Sequence, residues 1–321
     1  MRMQFLQEQL TAYLALRESL GHINKSHRRQ LQSLIEYADQ HSDSSTLRAQ
    51  ITIDWACGTG GTRGASTQFA LLSLARGFLT FLKATYPETE VPDRNLIGTL
   101  RRPNPYIFSD SEVHRLLHVV SELGTATKNS DHAEWYRTCE CVIGLLACTG
   151  LRIKEALNLS ISDVRLDATP PCVLVRESKF KKSRWVPLHP TAAERLRTYS
   201  RRRHRSGRED ASPFFISIEG KKIGYSGIYR TFRRLLRRAE ITSAEKQTPP
   251  TFHGLRHTFA VNRLRTWYES GADPRLLAPH LSVYMGHVNM AATYWYISAT
   301  PELLTGASKL FESYSQEGGA R

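Results

Sequence analysis

The sequence predicts a mainly α-helical protein with a small antiparallel β-sheet. An all-helical N-terminal domain is followed by an α+β domain. Three observations carry this. Apolar residues recur at helical spacing over most of the 321 residues. Two short strand-like runs bracket a basic turn between 173 and 188. A polar, basic stretch containing prolines, 91–106, separates the halves, and the length suits two domains.

Residues 1–20 place Phe5, Leu6, Leu10, Tyr13, Leu14 and Leu20 on a helical stripe. Ser26 is the expected N-cap of a second helix, with Leu31, Leu34, Ile35 and Ala38 inward and His27, Arg28 and Arg29 in its first turn. A short helical piece near Ile53–Ala56 leads into Gly58-Thr-Gly-Gly-Thr-Arg-Gly64. That loop lacks the Gly-Lys-Ser/Thr ending of a P-loop and no strand feeds it. It reads as a connector or DNA-backbone loop carrying Arg63. A helix over 66–85 follows, with Phe69, Leu72, Leu74, Phe78, Leu79 and Leu82. Residues 1–90 are thus the first domain, 91–106 the linker with Arg101 and Arg102, and 107–321 the second domain.

Ser109-Asp-Ser-Glu112 is a capping-box pattern that opens the second domain. Helices are expected over 133–148 and from Leu151. The strand runs are Val173–Arg176 and Arg184–Leu188, and Phe214–Ile218 is a candidate edge strand. A helix over 190–205 ends in Arg201-Arg-Arg-His-Arg205. Another over 226–240 turns Ile228, Phe232, Leu235, Leu236 and Ala239 inward and Arg230, Arg233, Arg234, Arg237 and Arg238 outward. The rest, 253–314, reads as helical, broken at Gly271–Pro274 and Gly286.

Net charge is +14, and a polyanion is the simplest partner, because each Lys or Arg at a phosphate releases counterions. Arginine dominates the basic runs, which suits bidentate phosphate contacts. Candidate backbone contacts are Arg28, Arg29, Arg63, Arg101, Arg102, Lys181, Lys182, Arg233, Arg234 and Arg237. Five scattered cysteines show no zinc-ligand spacing and read as buried free thiols. No apolar run reaches the roughly 18 residues of a membrane span. The N-terminus reads as an amphipathic helix and not a signal peptide. A cytoplasmic protein is expected.

Four clusters carry chemistry. In Thr149-Gly-Leu-Arg152, an arginine after a glycine at a helix start can fork onto two phosphate oxygens. Lysines on a hairpin tip are mobile donors able to protonate a leaving oxygen, and Lys179, Lys181 and Lys182 are equivalent on this ground. In His253-Gly-Leu-Arg256-His257, His253 and Arg256 share a helical face. A neutral imidazole there can take a hydroxyl proton beside a phosphate-clamping arginine. His257 faces elsewhere, as a packing or hydrogen-bonding side chain. Last come Gly286-His287 and the tyrosines Tyr284, Tyr294 and Tyr296. A phenol of pKa about 10 needs a base and nearby cations to act as a nucleophile.

The order and spacing of these clusters resemble the tyrosine recombinase/integrase family. The likeness rests on Thr-Gly-Leu-Arg152-x-x-Glu, a hairpin lysine, His253-x-x-Arg256-His, Gly-His287 and a tyrosine nine residues on. It covers about 107–312. It implies Arg152 and Arg256 as phosphate ligands, His253 as base, His287 as a further phosphate donor and Tyr296 as nucleophile. Counting back from Val186-Pro-Leu188 implies Lys179 as general acid, although Ser-Lys-Phe stands where the family has Gly-Lys-Gly.

The resemblance further implies a site-specific recombinase of a mobile element, an integrase or transposase in a bacterial cytoplasm. Its reaction runs through a 3′-phosphotyrosine on double-stranded DNA, without metal, cofactor or ATP. Four protomers act together. The segment Pro301–Phe311 is an amphipathic helix that docks on a neighbouring protomer or packs on its own domain. The alternatives are a type IB topoisomerase-like enzyme and a DNA-binding accessory protein without catalysis.

Overall fold

The computed structural model describes residues 2–21, 25–41, 47–96, 104–176, 183–203, 212–243, 248–287, 289–291, 293 and 296. The chain forms two compact units, Met1–Arg102 and Pro103–Arg321.

Unit one holds α1 (Arg2–Ser19), α2 (Lys25–His41), α3 (Ala49–Cys57) and α4 (Ala65–Lys83). Its core takes one stripe from each helix: Leu6, Leu10 and Tyr13; Leu31, Leu34 and Ile35; Trp55; Leu72, Phe78 and Leu79. Burying such stripes is what holds short helices together. Two expected core residues do not join. Leu20 is 66% exposed just past the end of α1, and Phe69 is 43% exposed on the outer side of α4. Helix α2 begins at Lys25, so Ser26 lies inside the helix instead of capping it.

Unit two starts at α5 (Asp110–Ala126), where Ser109 and Glu112 form the expected capping box. Next come α6 (Ser130–Thr149) and the short α7 (Ile153–Leu157). A three-stranded antiparallel sheet follows, β1 (Val164–Arg165), β2 (Cys172–Val175) and β3 (Arg184–Pro187), in that order. Val173 pairs with Val186, and both face the core. The third strand comes from 164–165 and not from 214–218. Phe214 and Phe215 are adjacent and both buried, which a strand with alternating faces cannot provide. That segment makes only isolated bridges, Ser160 to Pro213 and Ile216 to Lys222.

Then come α8 (Pro190–Arg203), α9 (Tyr225–Arg238), α10 (Phe252–Glu269) and α11 (Pro274–Met285). Helix α9 is sharply two-faced. Ile228, Phe232, Leu235 and Leu236 are buried, and its five arginines are exposed. Helix α10 is different, because residues 254–261 are all buried. A helix buried all round belongs in the middle of a domain, and α10, which carries Arg256, His257 and Thr258 in that stretch, packs on both α6 and α11. The cysteines form no disulfide. Only Cys139 is fully buried, and Cys148 is exposed, contrary to the expectation of buried thiols. No helix among the described residues is long and apolar enough to cross a membrane.

Gly150 ends α6 in the left-handed region, at φ +63°, with its N–H on the Leu146 carbonyl. A Cβ there would lie 2.5 Å from the Phe259 ring on α10. Gly150→Ala is therefore expected to cost about 1–3 kcal/mol through strain and overpacking. Thermal melting checks this, and an unchanged midpoint would contradict it.

Candidate active site

Three guanidinium groups gather at the carbonyl end of α11. Arg184 Nε donates to the Tyr284 carbonyl (2.7 Å), Arg256 Nη2 to Met285 (2.7 Å) and Arg152 Nη2 to Gly286 (3.2 Å). The last carbonyls of a helix have no partner within it, and cations suit that end. Arg256 also reaches back through Nη1 to the Gly150 carbonyl at the end of α6 (2.7 Å). Gly286 has φ +66°, and a Cβ there would lie 2.7 Å from the Arg184 guanidinium. The glycine of Gly-His287 thus makes room for an arginine.

Glu155 is the carboxylate of this cluster. It accepts from Arg152 Nη1 (2.7 Å) and the Arg152 backbone (3.0 Å), and from Arg184 Nη2 (2.9 Å). Burial pushes its carboxyl up, but the bonds and charges of Arg184 and Arg152 outweigh this and hold it below the ordinary value. Arg256 is 1% exposed. Burial, and then the charge of Arg152, bring it down to about 10, so it stays cationic at neutral pH.

The phenol and imidazoles complete the pocket. The Tyr296 ring is buried, and its hydroxyl lies 2.9 Å from His257 Nδ1. His287 lies on the other side, with its ring 6.1 Å from that of Tyr296 and nearly parallel. Its Nδ1 is 2.8 Å from Thr293 Oγ1. Burial and the charges of Arg256 and Arg152 push His287 down to about 3, so its ring is neutral at pH 7. His253, exposed in the first turn of α10, meets the His257 ring edge-on at 4.4 Å.

The structure brings together Arg152, Arg256, His287 and Tyr296, with His253 at the pocket's edge. His257 is a buried, hydrogen-bonding side chain as expected, but it faces Tyr296 and not away from the site. Glu155 and Arg184 are additional members that their residue types alone did not single out. Lys179, Lys181, Lys182, Arg101, Arg102, Tyr294 and the segment 301–311 lie outside the described residues. Tyr284 sits apart from the pocket's imidazoles, stacked on Phe259 with its hydroxyl toward the Pro187 carbonyl. Among the described residues no group of three or more His, Cys, Asp and Glu could hold a metal ion.

Of the candidate backbone contacts, Arg28, Arg29, Arg233, Arg234 and Arg237 are exposed. Arg234 also bonds the Tyr136 hydroxyl (2.9 Å) and lies over its ring. Arg63 is only half-exposed. Its guanidinium bonds the Trp55 carbonyl and lies over the Trp55 ring, so it fastens its own loop to α3 instead of projecting from it.

The fold is that of the site-specific recombinases. The structure of XerH site-specific recombinase bound to palindromic difH substrate superposes with TM-score 0.67 at 18% identity, over 91% of this chain and 80% of that one. A lambda integrase tetramer bound to a Holliday junction gives 0.62 at 16% identity, over 91% and 76%. The phage integrase family profile matches residues 108–302, and the chain belongs to that family. A Sinorhizobium fredii protein, provisionally named integrase/recombinase y4rB, is 33% identical over 316 residues, 97% of this chain and 98% of its own. Tyrosine recombinase XerD of Oceanobacillus iheyensis is 31% identical over 233 residues, 71% of this chain and 65% of its own.

Removing the Glu155 carboxylate leaves Arg152 and Arg184 facing each other without a counterion. Glu155→Ala is expected to destabilise the second unit by about 3–5 kcal/mol. The pH sign follows from the lowered carboxyl. Its contribution is complete above the ordinary glutamate value of about 4.3 and is lost as pH falls through the lower folded value. Chemical denaturation against pH should therefore show a shallower acid limb in Glu155→Gln, and identical limbs would contradict the assignment.

Proposed function

We propose that this chain is a site-specific recombinase that cuts and rejoins DNA strands through Tyr296. The carrying observation is the charge of the pocket around that phenol. Among the described residues, three guanidiniums face a single carboxylate. Such a pocket suits an anion, and a phosphodiester brings one. Arg152 and Arg256 clamp its non-bridging oxygens and stabilise the pentacoordinate transition state. Neutral His287, its Nδ1 held by Thr293, offers Nε2 as a further donor. The phenol gives its proton to an imidazole beside it and attacks phosphorus. The 5′ oxygen leaves with a proton, supplied by Lys179 in this reading. The product is a 3′-phosphotyrosine, and a 5′ hydroxyl from another strand reverses the step and releases Tyr296. The linkage conserves the bond energy, so no nucleotide cofactor is needed.

Exposed arginines carry the duplex in this reading, Arg28 and Arg29 on α2 and Arg233, Arg234 and Arg237 on α9. Residues 1–90 form a DNA core-binding domain. Four protomers work together, as the lambda integrase structure on a Holliday junction suggests by likeness. A mobile-element role is favoured by likeness to the integrase of the Tn1549 transposon, TM-score 0.59 at 16% identity over 90% of this chain and 94% of that one. The enzyme acts in the bacterial cytoplasm.

The test traps the covalent complex on nicked DNA taken from the flanks of the gene. The native chain should form a protein–DNA adduct that survives denaturation, and sequencing the DNA gives the site. Tyr296→Phe should form none, and Arg256→Ala should lower its rate by about 100-fold or more. An adduct that persists in Tyr296→Phe would overturn the nucleophile.

A further inference from the structure

Of the two imidazoles on α10, the structure seats the second against the phenol. His257 Nδ1 is 2.9 Å from the Tyr296 hydroxyl oxygen, and the ring centroids are 5.3 Å apart at 60°. Both side chains are nine-tenths or more buried. His253, one turn earlier on α10, is exposed and presents itself edge-on to the His257 ring. We propose that His257 is a catalytic residue of the strand-cleavage step, the group that takes the Tyr296 proton. This rests on the function proposed above and names a different proton acceptor from the one the resemblance implied.

The chemistry fixes the tautomer. For the phenol to donate to Nδ1, the neutral ring must carry its own proton on Nε2. In cleavage the Tyr296 O–H bond breaks and its proton passes to Nδ1, leaving an imidazolium. The phenolate oxygen bonds to phosphorus as the bond from phosphorus to the 5′ oxygen breaks, and that oxygen leaves as a hydroxyl with the separate proton described above, which it gives back on rejoining. On rejoining, the released phenolate takes the same proton back, so His257 ends each cycle neutral. No other reactant is required. His253, at the mouth of the pocket, supports the His257 ring and meets the incoming backbone.

A structural role for His257 would look the same in a simple deletion, so the test varies the acidity of the phenol. Tyrosine or a more acidic difluorotyrosine is placed at position 296, each with native His257 or with His257→Asn. Asparagine keeps a hydrogen-bonding atom near Nδ1 but cannot accept a proton. With ordinary tyrosine, His257→Asn should slow adduct formation by about 100-fold or more, the usual span of general-base catalysis. With difluorotyrosine most of that loss should vanish, because an acidic phenol ionises without help. A loss of equal size with both tyrosines, or no loss at all, overturns the proposal. So does a rescue found in His253→Asn and missing in His257→Asn.

A second measurement needs no change at His257. Ring-nitrogen NMR of the native protein should show Nδ1 unprotonated, with its signal moving in Tyr296→Phe. A proton on Nδ1, or a signal indifferent to Tyr296→Phe, overturns the proposal. These outcomes are separable from failure of the recombinase reading. That reading fails when no adduct forms with Tyr296 in place, whereas the His257 proposal fails while the adduct still forms.

Discussion

The second unit depends on one constraint, that the carbonyl end of α11 must find donors. Helix ends expose carbonyls that water or protein has to satisfy. Here carbonyls 284, 285 and 286 take donors from β3, from the buried α10 and from the start of α7. Arg256 adds the end of α6 through the Gly150 carbonyl. Five elements therefore meet at a few backbone oxygens. His287 follows directly on this knot, and Tyr296 lies nine residues further along. The position of His287 follows from it, and the Tyr296 hydroxyl lies against His257.

The same knot makes the pocket electrically unbalanced. Glu155 neutralises part of the charge, and its carboxyl is held ionised by the two arginines it bridges. Burial first, and then the charge of the neighbouring arginines, pulls Arg256 down to about 10 and His287 to about 3. Like charges left in a poorly solvated place cost stability. A fold tends to keep such an arrangement where an anion is to be received. In the proposed function scaffold and binding site are one set of residues, so a defect in either is expected to appear in both.

Much of this was legible in the chain. Arg152, Arg256, His287 and Tyr296 stand in short motifs, and the Ser109 capping box and the two-faced α9 follow from local spacing. What stayed hidden depends on contacts between distant residues. Arg184 reads as an ordinary strand residue until the fold sets it against Glu155, 29 positions away. His257 was set apart because it directly follows Arg256, yet it stands four positions after His253 and so shares that residue's helical face, where the two rings meet at 4.4 Å. Arg63 carried the charge expected of a backbone contact, and the fold also turns part of its guanidinium onto the Trp55 carbonyl and ring. In Phe214–Ile218, aromatic content suggested a strand, yet two neighbouring phenylalanines both needed burial, and the pleat was lost.

The enclosure of α10 also explains how adjacent residues can serve one pocket. Successive residues point about 100° apart on a helix, so Arg256 and His257 meet different walls. Arg256 meets the backbone ends of α6 and α11, and His257 meets Tyr296. An incoming phosphate needs donors that the scaffold has not consumed. A guanidinium has five N–H groups in a planar fork. Arg256 uses two on the carbonyls of Gly150 and Met285, so it can hold α6 and α11 together and still turn donors toward an anion. A lysine ammonium has three donors around one atom and no fork to span two carbonyls. The geometry of the helix ends by itself thus favours arginine at 256, alongside the phosphate-binding role proposed for it.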